Sequence, residues 1–176
     1  VTAHVTFATF TPTNDSWRVD ETYILVKGKQ KYLYRAVDLM ENTLNFLLTA
    51  KRKAKAAKRS LRKLLKAIHT SPPRVIVDKN PTHPKALKEL KTAKKLPEIV
   101  KLRQIKYLNN IVEQDHRGIK RLVKAGMGFG SFNTARRTIR GYETMNMVRK
   151  GQVFGVPKGA IKERIFFLNQ IFEVVA

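Results

Sequence analysis

The alternation of hydrophobic and polar positions changes period once along the chain. Residues 17–27 (WRVDETYILVK) are rich in β-branched and aromatic types, Lys27-Gly28-Lys29 supplies a turn, and residues 31–38 (KYLYRAVD) read as a second strand. A further turn at Glu41-Asn42 leads into residues 43–49 (TLNFLLT). Three strands joined this tightly predict an antiparallel meander. From residue 50 to 69 the spacing becomes helical, with Ala54, Ala57, Leu61, Leu64, Leu65 and Ile68 inside about 100° of a helical wheel.

After Ser71-Pro72-Pro73, the run Val75-Ile76-Val77 ending at Asp78 reads as a buried strand. Pro84 opens a helix with Ala86, Leu87, Leu90 and Ala93 on one side. Residues 99–107 read as one more strand and 109–124 as a helix closed by Gly126; a glycine-rich turn, Gly126 to Gly130, precedes a last helix pair near 131–150 and 160–174. Late strands separated by helical crossovers predict an α/β fold with a mixed five-stranded sheet, three strands antiparallel and two added by crossovers, flanked by helices. No internal repeat is found. The expected organisation is an irregular segment 1–15, a catalytic-sized domain 16–150 and a helical tail 151–176.

Composition narrows the partners. The chain has 176 residues, 43% hydrophobic, with 36 Lys and Arg against 13 Asp and Glu, a formal charge of +23. That much positive charge opposes compaction and points to a polyanion, with nucleic acid favoured over an acidic membrane face. The absence of cysteine excludes disulfide scaffolds, thiolate zinc sites and cysteine nucleophiles. No apolar run approaches the roughly 18 residues of a membrane span, and no secretory leader is visible. A soluble cytoplasmic protein is expected, and the start at Val1 within a Thr-rich stretch reads as a fragment.

Acidic residues are scarce, so their placement carries information. Asp20 lies in the first strand, Asp78 ends the fourth, and Glu113 comes early in a later helix; strand ends near a change of strand order are where open α/β sheets place ligands. Two carboxylates about 4 Å apart repel by about 4 kcal/mol at an effective dielectric near 20, so a converged trio needs cations. Oxygen-only ligands favour Mg²⁺ or Mn²⁺ over zinc, and a pair of such ions suits phosphodiester chemistry. Glu21 and Asp38 also lie in or beside strands and remain alternatives. So does the reading of all these acids as surface counter-charges.

The helix around Glu113 sets Glu113, Arg117, Lys120 and Lys124 on one face and Ile111, Val112, Ile119, Leu122 and Val123 on roughly the opposite one. His116 reads as a polar surface residue or a phosphate contact. Gly118 weakens the helix interior by about 1 kcal/mol relative to Ala. Upstream, residues 51–66 hold nine basic and no acidic side chains. Lys51, Arg52, Lys55, Lys58, Arg59, Arg62, Lys63 and Lys66 cover the half of the wheel opposite the apolar stripe, a face suited to phosphates. The Gly126 to Gly130 segment lacks the Gly-Lys-Ser/Thr ending of a nucleotide loop and reads as a helix cap and flexible turn.

Three stretches carry a family resemblance: SWRVDETYILVKGKQKYLYRAVD (16–38), VDKNPTHPKALKEL (77–90) and RQIKYLNNIVEQDHRGIKRLVKAGMGFGSFNTARRTIRGYETMNMVRKGQ (103–152). Together they closely resemble the DDE transposases of insertion-sequence family six, over about residues 14 to 152. The resemblance implies an RNase H-like core that cuts and joins double-stranded DNA at transposon ends and target, using two Mg²⁺ or Mn²⁺ ions. It implies Asp20, Asp78 and Glu113 as the catalytic, metal-holding acids, with 34 residues between the last two. Lys120, seven residues after Glu113, matches the family's DNA-contacting basic residue; Arg117, Arg121 and Lys124, and Lys51, Arg52, Lys55, Arg59 and Arg62, are further expected DNA contacts. A dimer or higher oligomer on DNA is expected, associated with the nucleoid, with neither a membrane nor a small-molecule substrate. The sequence departs from the family in a strand one residue shorter between Arg74 and Asp78, in glycines at 118 and 128 where basic residues are expected, and in lacking an N-terminal helix-turn-helix region. An inactive DNA-binding remnant and a basic RNA-binding structural protein are the competing readings.

Overall fold

A tight hairpin starts the fold. Strand β1 (Ser16–Val26) pairs antiparallel with β2 (Lys29–Val37), Val26 opposite Lys29, so only Lys27 and Gly28 form the loop. Both have positive φ, 51° and 69°, the combination a right-twisted hairpin requires and glycine adopts without strain. The computed structural model describes residues 16–52, 54–66, 75–77, 83–104 and 110–172. Strand β3 (Thr43–Thr49) continues the meander, followed by α1 (Ala54–Leu65), β4 (Val75–Val77), α2 (His83–Thr92), β5 (Lys101–Arg103), α3 (Asn110–Ala125), α4 (Phe132–Arg149) and α5 (Ile161–Phe172).

The sheet order is β3-β2-β1-β4-β5, with β4 parallel to β1 and β5 parallel to β4. Because side chains alternate across a strand, the sheet has two apolar faces. On one, Trp17, Val19 and Ala36 pack with Leu61 and Leu64 of α1 and Ala86, Leu87 and Leu90 of α2. On the other, Ile24, Val26 and Leu33 pack with Ile119 and Val123 of α3 and Ala135 and Ile139 of α4. Burying each of the Val, Leu and Ile side chains among them stabilises the fold by about 1.5–3 kcal/mol. A register shift between Ala36 and Val37 sets Ala36 opposite Asn45 and Val37 opposite Thr43, so the ladder steps over Leu44. Leu44 consequently packs on the α1 face, while Phe46 and Leu48 join the α3 face.

Several boundaries differ from the sequence expectation. The helix expected over 50–69 is observed as Ala54–Leu65, and residues 67–70 lie outside the described residues. The strand expected over 99–107 spans only Lys101–Arg103. A turn at Pro97 accepts the Val100 N–H at 3.2 Å, which delays strand pairing until Lys101; residues 105–109 lie outside the described residues. β4 matches β1 over three residues, Ser16 to Arg18. Beyond them the edge of β1 is free of β4, and Phe129 pairs beside Val26 instead.

That pairing overturns the reading of Gly126 to Gly130 as a flexible turn. Phe129 N–H donates to Leu25 O at 3.0 Å and Lys27 N–H donates to Phe129 O at 2.8 Å, pinning the segment to the end of β1. The following helix is capped by Ser131, whose hydroxyl accepts the Thr134 N–H at 3.0 Å.

Candidate active site

Along β1, Thr22, Ile24 and Val26 face α3 and α4, and Asp20 shares their side by alternation. At Asp20 the apolar face gives way to charge. Arg35 of β2 stands opposite Asp20 in the ladder, and its side chain is fully buried. Its Nε donates to Glu143 Oε1 at 2.6 Å and its Nη2 to Oε2 at 2.9 Å, a two-pronged contact with a carboxylate that is itself fully buried on α4. Nη2 also lies 2.7 Å from Asp115 Oδ2, and Asp115 Oδ1 lies 2.7 Å from Lys150 Nζ. Lys150 Nζ in turn donates to Glu41 O at 2.6 Å and Thr43 Oγ1 at 3.2 Å.

His116 links this network to Asp20. Its Nδ1 is 3.5 Å from Arg35 Nη1 and its Nε2 is 3.4 Å from Asp20 Oδ2. The latter is about half an ångström longer than an ordinary hydrogen bond, and Nε2 has no hydrogen-bond partner among the described residues. Two cations, Arg35 and Lys150, offset two carboxylates, Glu143 and Asp115. Such balance is what lets charged groups remain ionised away from water.

Burial opposes ionisation at Arg35, Asp115 and Lys150, and the partners outweigh it at the first two. Arg35 is raised above its ordinary value, because Glu143 and Asp115 together outweigh its desolvation. Asp115 is likewise lowered: burial pushes it up, but Arg35 and Lys150 pull it down further. Lys150 moves the other way from what its ion pair alone would give, lowered because burial outweighs Asp115. Asp115 touches both cations at 2.7 Å.

The expected site residues divide as follows. Asp20 retains partial access, with 16% of its side chain exposed. Glu113 is exposed in the first turn of α3, three residues before His116 and so about 4.5 Å along the helix axis from the residue that reaches Asp20. Asp78 follows directly on Val77, the end of β4, and lies outside the described residues. Val77 is in register with Arg18, two residues before Asp20. Among the described residues no three of His, Cys, Asp and Glu form a cluster that could hold a metal ion. The donor chemistry fits a hard cation, because Asp20 offers carboxylate oxygen and the guanidinium opposite it is already engaged by Glu143.

The two alternative acids have other tasks. Asp38 is fully buried and accepts the N–H groups of Met40 and Asn42, each at 2.9 Å, and the Asn42 amide at 3.0 Å, so it closes the β2–β3 turn. Glu21 points to the α1 side of the sheet and pairs with Arg52. His116 is not a surface residue as expected: it is 3% exposed, because the helical position that reads as polar faces the buried charges of β2.

Arg117, Lys120, Arg121 and Lys124 are exposed on α3, as are Lys51, Lys55, Arg59 and Arg62 at or before α1. Arg52 is engaged by Glu21, Lys58 pairs with Glu89, and Lys63 donates to Phe46 O at 2.6 Å with its ammonium 4.7 Å from the Phe46 ring centre. The residues sequence reasoning missed are Arg35, Asp115, Glu143 and Lys150. Glu143 carried a signal, since it continues the stripe of Ala135 and Ile139 at four-residue spacing, and a carboxylate on a buried stripe demands a cation.

Residues 14–152 match the family profile of the DDE domain of IS240-type transposases. The chain belongs to the DDE transposase family. This DDE domain is 39% identical over 134 residues to the transposase of the insertion sequence-like element IS431mec of Staphylococcus aureus, covering 76% of the chain and 58% of that relative. The transposase of IS257 in transposon Tn4003, also from Staphylococcus aureus, gives the same identity and coverage. The chain thus spans 58% of the length of these curated relatives. Among solved structures it resembles the HTLV-2 integrase catalytic core domain in complex with magnesium, at a TM-score of 0.56 and 15% identity over 82% of this chain and 90% of that one. The catalytic core of BIV integrase gives a TM-score of 0.53 and 12% identity over 91% and 97%. At these identities the likeness establishes the fold, RNase H-like, which the DDE domain shares with integrase cores. Among the described residues no helix is long and apolar enough to cross a membrane.

Proposed function

We propose that this chain is the catalytic part of a transposase that cleaves DNA at insertion-sequence ends and joins the freed 3′ ends to target DNA, with Asp20, Asp78 and Glu113 holding two divalent ions, Mg²⁺ or Mn²⁺. The observation that carries the reading is Asp20: a partly exposed carboxylate at the edge of a charge-balanced network, next to the helix that bears Glu113, in a chain of the DDE family. Bound ions of this kind activate an attacking hydroxyl and stabilise the departing oxygen of a phosphodiester. The protein's own part is to hold the acids and to orient phosphates through Lys120 and Arg117, while Arg121, Lys124 and the exposed cations around α1 follow the backbone. No side chain becomes covalently attached to DNA. The partner is double-stranded DNA at the bacterial nucleoid, held by a dimer or higher oligomer.

The test is Mg²⁺- or Mn²⁺-dependent nicking and strand transfer on insertion-sequence-end DNA, comparing the wild-type protein with Asp20→Asn, Asp78→Asn and Glu113→Gln. Each substitution should abolish the chemistry and leave DNA binding in place. DNA binding without metal-dependent cleavage by the wild type would make the protein a DNA-binding remnant. Preference for RNA, indifferent to all three substitutions, would make it a structural RNA-binding protein.

A further inference from the structure

We infer that His116 is the positioning residue for Asp20: the imidazole is held by Arg35 in the Nε2–H tautomer and orients the Asp20 carboxylate without cancelling its charge. The inference rests on the proposed reading of Asp20 as a metal ligand and adds the group that holds it.

His116 is 3% exposed, so water does not satisfy its ring, and both nitrogens must look to the protein. Nδ1 faces Arg35 Nη1 at 3.5 Å. A guanidinium has five donors and no acceptor, so the nitrogen facing it presents a lone pair. The ring proton therefore resides on Nε2, a buried atom with no hydrogen-bond partner among the described residues, and it is aimed at Asp20 Oδ2 3.4 Å away. Arg35 cannot swing away from this role, because Glu143 grips it at 2.6 and 2.9 Å and Asp115 at 2.7 Å. The orientation of His116 is thus fixed through Arg35 of β2, which is held in turn by Glu143 of α4 and Asp115 of α3.

The charge arithmetic gives this arrangement its consequence. Arg35 and Lys150 are already matched by Glu143 and Asp115, and a neutral imidazole adds nothing to the sum. A Lys or Arg placed where His116 stands would neutralise Asp20 and compete with a cation for it. A neutral donor fixes the carboxylate by one oxygen and leaves the full negative charge for an ion approaching from the open side. A long contact of 3.4 Å is compatible with that role, since hydrogen bonds around reactive groups tighten when the site is occupied.

Mn²⁺ titration by calorimetry tests the idea without relying on turnover. His116→Gln places an amide N–H near the position of Nε2, whereas His116→Asn keeps a polar group near Nδ1 and falls short of Asp20. The expected result is loss of Mn²⁺ binding in Asp20→Asn, near wild-type affinity in His116→Gln, and affinity weakened about tenfold or more in His116→Asn, with similar thermal stability of the two His116 variants in chelator. A merely structural role would move both variants together. Wild-type affinity in His116→Asn, with binding lost in Asp20→Asn, overturns the positioning role alone. Mn²⁺ binding indifferent to Asp20→Asn overturns the reading of the site and this inference with it. NMR of the imidazole nitrogens in the wild-type protein provides a check that needs no variant: a proton on Nε2 is expected, and a proton on Nδ1 with Nε2 bare would refute the arrangement.

Discussion

Asp20 and Arg35 face each other directly across the β1–β2 ladder, yet the guanidinium turns away from its cross-strand neighbour to a carboxylate 108 residues further along the chain, Glu143. Opposite charges in facing positions would ordinarily pair. Here the two-pronged geometry and full burial of Glu143 win the guanidinium, so β2 and α4 are locked together and Asp20 remains open. The same contact that joins two elements of the fold also protects the charge of the site.

Breaking that lock should be severe. Glu143→Gln keeps the volume but leaves the Arg35 charge facing Asp115 alone, and removal of one partner from a buried pair destabilises by about 3–5 kcal/mol. Urea unfolding should show it as a lower midpoint with an unchanged slope. The double substitution Arg35→Met with Glu143→Leu should be milder than Glu143→Gln, because it removes both charges and keeps the apolar volume.

Asp115 gives the fold a dependence on acid. Its folded-state pKa is depressed, with burial opposing and Arg35 and Lys150 prevailing, so its contribution is fully present above the unfolded aspartate value of about 3.9. The contribution is lost as pH falls through the lower folded-state value. Wild type should therefore exceed Asp115→Asn in unfolding free energy by a constant margin at neutral pH. That margin should shrink below about pH 4. Denaturant titrations at pH 7, 5 and 3 measure it, and a margin independent of pH would mean the carboxylate charge has no part in the network.

The sheet and most helices are legible from periodicity alone, because Trp17, Val19, Ile24 and Val26 alternate between two apolar faces and Ala57, Leu61 and Leu64 form a helical stripe. Scarcity alone leaves Glu21 and Asp38 beside Asp20, Asp78 and Glu113 as candidates, and it is the family resemblance that points to the last three. The network behind Asp20 is not legible, since it joins β2, α3 and α4 with Lys150, and no local pattern relates residues 35, 115, 143 and 150. Only the mismatches are visible beforehand: Arg35 inside an apolar strand and Glu143 on an apolar stripe. His116 was misassigned for the same reason, because a polar residue facing a buried charge reads in sequence like one facing water.

The exposed cations around α1 separate from those the fold already uses. If Lys55, Arg59 and Arg62 each neutralise one DNA phosphate, replacing any one by Gln should reduce the slope of log K against log salt by about 0.9. Lys58 and Lys63 are engaged by Glu89 and Phe46, and Gln at either should leave the slope nearly unchanged. Fluorescence anisotropy across a salt series distinguishes the two groups, and equal slopes for all five variants would remove α1 from the DNA interface.

The two glycines that stand where basic residues were expected should respond in opposite directions to an added side chain. Gly118 lies within α3 with no atom within 4 Å of where a Cβ would be, so Gly118→Ala should stabilise by about 0.5–1 kcal/mol through helix propensity alone. Gly128 has a φ of 95°, and a Cβ there would sit 2.9 Å from Leu25 O and 3.0 Å from Leu25 Cβ. The obstruction is backbone, held in place by the Phe129 N–H donating to that same Leu25 oxygen at 3.0 Å. Gly128→Ala should therefore destabilise by about 1–3 kcal/mol from backbone strain, with the collision adding to it, and should release the 126–130 segment from the end of β1. Paired thermal melts, with amide exchange of Lys27 and Phe129 as the local reporter, read both effects. A Gly128→Ala protein that melts with the wild type and keeps those two amides protected would show that the segment can yield without leaving the strand.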